Sequence, residues 1–289
     1  AIADPGDEII VFEPFYTNYK GFAIYADVKL VPYSLRAENG FHLPEAKDIE
    51  QLITPRTKAI LMCSPNNPTG TVLRQDELEI LAELALKHNL FLISDEVYRE
   101  FAYDGVKPAS IMSIPEVQDR IIVVDSISKR FSACGARIGN LATKNSEIFN
   151  AVLKFGQARL CPATAEQIGA AALYSLRDDY FNQIREEYRQ RRDTIYEELM
   201  KIPDVVCQKP RGAFYIMVKL PIDDGNKFAK WLLTDFERNK ETVMVAPGEG
   251  FYATAGLGKN EIRLAYILNS DHCKKAAKLL KEAVIEYNS

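Results

Sequence analysis

Lys129 closes a run, Arg120-Ile-Ile-Val-Val-Asp-Ser-Ile-Ser-Lys129, whose first half is apolar enough to form a buried strand. An ammonium just beyond such a strand is unusual, because desolvating it is costly. Burial favours the neutral amine, and a neutral amine is the nucleophile that Schiff-base chemistry requires. Ser126 stands three residues before it and Arg137 eight after. A hydroxyl and a guanidinium fork at those positions can together hold a dianionic phosphate. The same residues also fit a solvated lysine in a polar loop beside a surface arginine.

Other segments carry residues able to bind or orient a ligand. Asn67 sits in the turn Pro65-Asn-Asn-Pro-Thr-Gly70, and Asp95 and Tyr98 in Ser94-Asp-Glu-Val-Tyr98. Tyr16 lies in Pro14-Phe-Tyr-Thr-Asn18, and Arg263 in Ile262-Arg-Leu-Ala265. Taken singly, each has a plainer reading. Asn67 fits turn chemistry, Asp95 a helix N-cap, Tyr16 a core aromatic, and Arg263 one half of a surface ion pair.

Apolar runs alternate with amphipathic stretches through the first half, the pattern of βα units around a mostly parallel sheet. Strands are predicted at Glu8 to Phe12, Ala26 to Pro32, Ala59 to Cys63, Leu90 to Ser94 and Arg120 to Asp125. Helices are predicted over Leu43 to Ile53 and over Gln75 to His88, where Leu78, Leu81, Leu84 and Leu86 contribute to an apolar face. Strands ending near Cys63, Ser94 and Asp125 deliver three of the chemical segments to strand C-termini, where open α/β sheets bind ligands. Beyond about residue 160 the texture changes. Helices over Ala163 to Leu176 and Asp178 to Met200 precede short strands at Phe214 to Val218, Val243 to Ala246 and Ile262 to Ala265. Further helices near Asn226 to Arg238 and Asp271 to Tyr287 separate them. This implies a large α/β domain over residues 1–177 and a smaller α+β domain over 178–289, bridged by the long helix.

The formal charge of -4 leaves no basic excess for neutralising nucleic-acid phosphates, so a nucleic-acid partner is not expected. No apolar run approaches the roughly 18 to 20 residues that span a bilayer, so no membrane partner is expected either. Cys63, Cys134, Cys161, Cys207 and Cys273 form no CxxC pair, and the three histidines are far apart. These features predict no metal site and reduced, mostly buried thiols in a cytoplasmic protein. No signal peptide is visible, and Ala1-Ile-Ala before Asp4-Pro-Gly-Asp7 reads as a helix end entering a turn.

Ser126-x-Ser128-Lys129 followed by Gly135-x-Arg137-x-Gly139 resembles the lysine signature of the class I/II, fold-type I aminotransferases, which use pyridoxal 5'-phosphate (PLP). The Asn-Pro-Thr-Gly, Asp-x-x-Tyr, aromatic and C-terminal arginine segments follow that family's order, and Gly212-Ala-Phe-Tyr215 and Pro247-Gly-x-x-Phe251 resemble further landmarks. The resemblance implies a mostly parallel sheet sandwiched by helices, with a smaller C-terminal α+β domain. It implies that Lys129 is the catalytic residue and bonds PLP. Tyr16 would stack on the pyridine ring, Asp95 would pair with the ring nitrogen, and Asn67 and Tyr98 would bond the phenolic oxygen. Ser126, Ser128 and Arg137 would join Lys129 in holding the cofactor, while Asn67 and Arg263 would bind the substrate, Arg263 gripping its α-carboxylate.

The implied reaction moves an amino group from an α-amino acid, aspartate being one candidate, to a 2-oxo acid in a homodimer. A PLP-dependent β-lyase and a non-catalytic effector domain of a transcription regulator share the fold and are the alternatives. Members specific for dicarboxylates use a second arginine, for which Arg99, Arg130 and Arg159 are candidates. The family also carries roughly a hundred residues upstream, with a turn that binds phosphate at a helix N-terminus, and this chain shows no counterpart. The chain alone is therefore expected to bind PLP poorly or not at all.

Overall fold

A computed structural model describes residues 1–289. The first half builds a six-stranded sheet from β1 (Glu8–Glu13), β2 (Lys29–Ser34), β3 (Thr57–Cys63), β4 (Phe91–Asp95), β5 (Ile121–Ser126) and β6 (Gly139–Ala142), in the order β2-β1-β3-β4-β5-β6. All pairings are parallel except β5 with β6. Ile10, Ile60, Leu92 and Ile121 are completely buried, as expected of parallel strands covered on both faces. Register sets the site. Cys63 pairs with Asp95 and Asp95 with Val124, so three strand ends lie side by side. The antiparallel return of β6 pairs Gly139 with Ser126 and brings Arg137 back beside the end of β5.

Helices in this half are α1 (Asn18–Tyr25), α2 (Ala46–Glu50), α3 (Gln75–His88), α4 (Ile127–Arg130), α5 (Ser146–Arg159) and α6 (Thr164–Leu173). The long α7 (Asp178–Leu199) follows, then β7 (Tyr215–Lys219), α8 (Gly225–Thr234), β8 (Ala246–Pro247), β9 (Glu261–Ala265) and α9 (Ser270–Tyr287). The second sheet is antiparallel in the order β7-β9-β8, which makes β9, the strand of Arg263, its centre.

One core gathers around the large sheet and another around β7, β9, α7 and α9. They exchange residues. Tyr98, Phe101 and Tyr103 pack into the second core, while Met217, Phe251 and Tyr252 pack into the first. Arg192 of α7 is fully buried and bonds both Asp104 oxygens, at 2.8 and 2.9 Å, and the Pro210 carbonyl at 2.8 Å.

Several sequence expectations need correction. The second strand begins at Lys29 rather than Ala26, because Asn18–Tyr25 is helical. Neither α1 nor α5 was anticipated. Each buries a single residue, Ala23 or Ile148, and so shows little core-facing periodicity. The helix expected over Leu43 to Ile53 shrinks to α2, the strand expected at Val243 to Ala246 shrinks to β8, and Ala1 to Asp4 forms no helix end. The thiols are not mostly buried: Cys207 and Cys273 are, Cys63 is half-buried, and Cys134 and Cys161 are exposed. All five are unpaired, and no helix is long and apolar enough to cross a membrane.

The segment before α3 is pinned by Glu77, whose carboxylate accepts the N–H groups of Arg74 and Leu43, both at 2.7 Å, and contacts His42 Nδ1 at 3.0 Å. Burial alone would raise its pKa, but these bonds outweigh it and hold the group below the ordinary value of 4.5. A depressed carboxyl stabilises the fold above its unfolded pKa and loses that contribution as pH falls through the folded value. Glu77→Gln is therefore expected to be less stable than the parent at pH 7. The gap should narrow on titrating below about pH 4.5, which denaturant unfolding across pH would show.

Candidate active site

Asp95 ends β4 with its carboxylate in the floor of a cleft. Its Oδ2 accepts the Tyr19 hydroxyl at 2.7 Å and its Oδ1 accepts the Val97 N–H at 3.2 Å. No helix starts there, so the bond to Val97 is a local turn and not an N-cap. Asp95 forms no ion pair and lines the cleft together with Cys63, Val124 and Tyr98. Burial pushes its carboxyl upward, and the Tyr19 hydroxyl and the Val97 N–H pull it back. It is an acid placed to meet a cation.

Lys129 stands on α4, the single turn that leaves β5. Ser126 caps this turn by accepting the Ser128 N–H at 3.0 Å, and its Oγ lies 2.9 Å from Ser128 Oγ. The Lys129 ammonium is half-buried, makes no hydrogen bond or ion pair, and lies 5.7 Å from the centroid of the Phe214 ring. Arg137 adopts a left-handed backbone, φ 56°, and donates one Nη1 bond to the Cys134 carbonyl at 2.9 Å. Its other N–H groups have no protein partner, and it is exposed.

The opposite wall comes from the second sheet. Arg263 lies between two rings, its Cζ 4.4 Å from the centroid of Tyr215 and 4.9 Å from that of Phe251. Nη1 donates to Asn67 Oδ1 at 3.0 Å, while the buried Nε has no partner. No carboxylate pairs with this guanidinium, so it is no half of a surface ion pair. Asn67 is held in its turn by a close approach of two glycines. A Cβ on Gly212 would fall 2.6 Å from Pro65 Cβ, and Gly70 has φ +72° with Pro210 packed against it. Tyr98 is buried, its hydroxyl 3.2 Å from that of Tyr215, and burial raises its pKa far above the ordinary phenol. Tyr16 is half-buried at the cleft edge, where Asn18 donates to its hydroxyl at 2.9 Å, so it is no core aromatic.

Tyr16, Asn67, Asp95, Tyr98, Ser126, Ser128, Lys129, Arg137 and Arg263 thus line one cleft of about 450 Å³. That volume suits a small organic ligand. Sequence reasoning left Tyr19, Tyr215 and Cys63 without a role. Tyr215 stood in the Gly212-Ala-Phe-Tyr segment, but Tyr19 lies on the unforeseen α1 and carried no signal of its own. The three candidate second arginines lie elsewhere. Arg130 is paired with Asp125 at 2.7 Å, Arg99 lines a separate cleft, and Arg159 is exposed at the end of α5.

A family model for aminotransferases of class I and II matches residues 1–280. The chain belongs to this family. The aminotransferase is 35% identical to a probable aspartate/prephenate aminotransferase of Aquifex aeolicus, over 99% of this chain and 72% of that protein. It is 33% identical to aromatic-amino-acid aminotransferase 2 of Thermococcus litoralis, over 96% of this chain and 70% of that protein. Among solved structures, an alanine aminotransferase of Pyrococcus furiosus matches with a TM-score of 0.89 and 32% identity, covering 99% of this chain and 72% of that one. The mostly parallel α/β architecture is the fold-type I architecture of aspartate aminotransferase structures. Its reaction is amino-group transfer between an amino acid and a 2-oxo acid. Members of the family are PLP enzymes.

Proposed function

We propose that this cleft holds PLP, and that Lys129 both bonds the cofactor and moves the substrate proton. The observation that carries the reading is complementary vacancy of charge. A half-buried carboxylate without a cation, Asp95, and a half-buried guanidinium with an orphaned Nε, Arg263, line the same cleft as an unpartnered amine. A protonated pyridine nitrogen suits the first and an amino-acid carboxylate the second. PLP, when bound, supplies an electron sink for a carbanion at the substrate Cα.

The protein residues then have separate tasks. Asp95 keeps a proton on the ring nitrogen, and Asn67 and Tyr98 hold the phenolic oxygen. Ser126, Ser128 and the free part of the Arg137 fork hold the phosphate, and Tyr16 covers the ring. Arg263 fixes the α-carboxylate so that the Cα–H bond points at the Lys129 amine. As a general base there, that amine contributes about 10² to 10⁴ in rate. Tyr215 and Phe251 keep water off the guanidinium and so strengthen its grip on an anion.

Removing a charged partner of this kind costs about 2–5 kcal/mol. Arg263→Gln is therefore expected to lower kcat/KM at least about thirtyfold for every amino donor, whatever its side chain. A loss confined to one donor class would place Arg263 on the side chain instead.

Lys129, Arg137 and Arg263 are the cations lining the cleft. Each already has a task, so a side-chain carboxylate such as that of aspartate needs an arginine from a partner subunit. Exposed Phe149, Leu153 and Phe155 on α5 and Ile168 on α6 support a homodimer, and five unpaired thiols support the cytoplasm. The two cores support a large domain over 1–177 and a smaller one over 178–289. The deciding experiment supplies PLP and screens amino donors against 2-oxoglutarate. Stoichiometric glutamate and 2-oxo acid are expected; ammonia and pyruvate would mark a β-lyase.

A further inference from the structure

Tyr19 is three residues beyond Tyr16, on the first turn of α1, and its hydroxyl meets a carboxylate 76 residues away. Its ring lies 6.1 Å from Phe15, inclined by 28°, and 5.6 Å from Tyr16, edge to face. A phenylalanine would fill the same space, so packing does not explain the hydroxyl. That oxygen has one proton, and the proton goes to Asp95 at 2.7 Å.

We propose that Tyr19 is a positioning residue for the transfer reaction, fixing Asp95 and keeping it ionised against the cost of its burial. The inference rests on the reading of Asp95 as partner of the ring nitrogen. Only the charged carboxylate can hold a proton on that nitrogen. Two donors, the Tyr19 hydroxyl and the Val97 N–H, occupy one lone pair on each oxygen and lock the plane of the group. Other groups near Asp95 oppose ionisation or are neutral. Asp125 repels it, although Arg130 partly discharges Asp125, and the Cys63 thiol and the Tyr98 phenol remain protonated. Lys129 and Arg137 line the cleft but pair with neither acid. Burial holds Tyr19 itself far above the ordinary phenol value, so it stays a donor at any working pH.

The test reads Asp95 directly. In a ¹³C-carboxylate NMR titration of the protein, the Asp95 signal is the one lost in Asp95→Asn. In Tyr19→Phe its midpoint is expected to rise by about one to two pH units, the usual worth of a hydrogen bond to a charged group. Placing 3-fluorotyrosine at position 19 makes a stronger donor and should move the midpoint the other way. Midpoints unchanged in both variants would overturn the proposal; a purely structural role predicts that result. The titration needs no cofactor, so it stands apart from the reading of the cleft. That reading is tested by PLP affinity against pH. If it holds, the acidic limb of the profile rises with the Asp95 midpoint in Tyr19→Phe. If PLP binding is independent of Asp95→Asn, the cofactor assignment fails, and the positioning role with it.

Discussion

Lys129→Ala is expected to lower amino-group transfer by at least about a thousandfold while leaving the fold intact. Two losses combine in this variant: the nucleophile that bonds the cofactor, and the base that moves the Cα proton. The stability side follows from the site. The ammonium makes no hydrogen bond or ion pair, and its nearest aromatic contact is the Phe214 ring at 5.7 Å. Truncation should therefore change unfolding free energy by no more than about 0.5 kcal/mol, as at an unengaged position. Lys129→Arg separates charge from nucleophilicity. It keeps a cation but is never deprotonated in a protein, so it should be as inactive as alanine. The visible absorbance of added PLP, compared among the parent and both variants, gives a second reading. Activity within about tenfold of the parent in either variant would remove Lys129 from the chemistry.

The sequence located the residues that line the cleft better than it located the scaffold, and the reason is physical. The cleft-lining segments are short, sit at strand ends, and have particular side chains at fixed spacing, as in Ser126-x-Ser-Lys129. Strand interiors such as Ala59 to Cys63 announce themselves by continuous apolar composition. Helices α1 and α5 do not, because their apolar residues, Phe22, Ile24, Phe149, Leu153 and Phe155, face outward. Nothing along the chain marks Tyr19 either. Its partner Asp95 is brought to it by pairing of β1 with β3 and of β3 with β4, contacts that local pattern does not encode. The bland reading of Arg263 as part of an ion pair could be removed only once the two rings and the empty surroundings of its Nε were placed.

Arg130 offers the largest expected effect on stability. Its Nη2 donates to Asp125 Oδ2 at 2.7 Å, and both side chains are about nine-tenths buried. The other Asp125 oxygen accepts the Ser126 N–H at 2.7 Å, so the pair ties the end of β5 to the turn that carries Lys129. Arg130→Met fills much of the same volume but leaves Asp125 charged, buried and without a cation. Breaking a buried pair from one side costs about 3–5 kcal/mol, because the remaining charge has lost its compensation. Replacing both partners is a different matter: Arg130→Met with Asp125→Leu removes two desolvation costs with the attraction. The double variant should recover at least about half of the loss, since apolar replacements of such pairs are often neutral. Denaturant unfolding of the single and double variants reads this directly. A single-variant loss under about 1 kcal/mol would show that solvent around the cleft already screens the Asp125 charge. The pair also matters to the chemistry. Asp125 lines the same cleft as Asp95, and an undischarged second carboxylate would favour protonation of the first. Arg130→Met should therefore weaken PLP binding on the acidic side of the pH profile even under conditions where the variant remains folded.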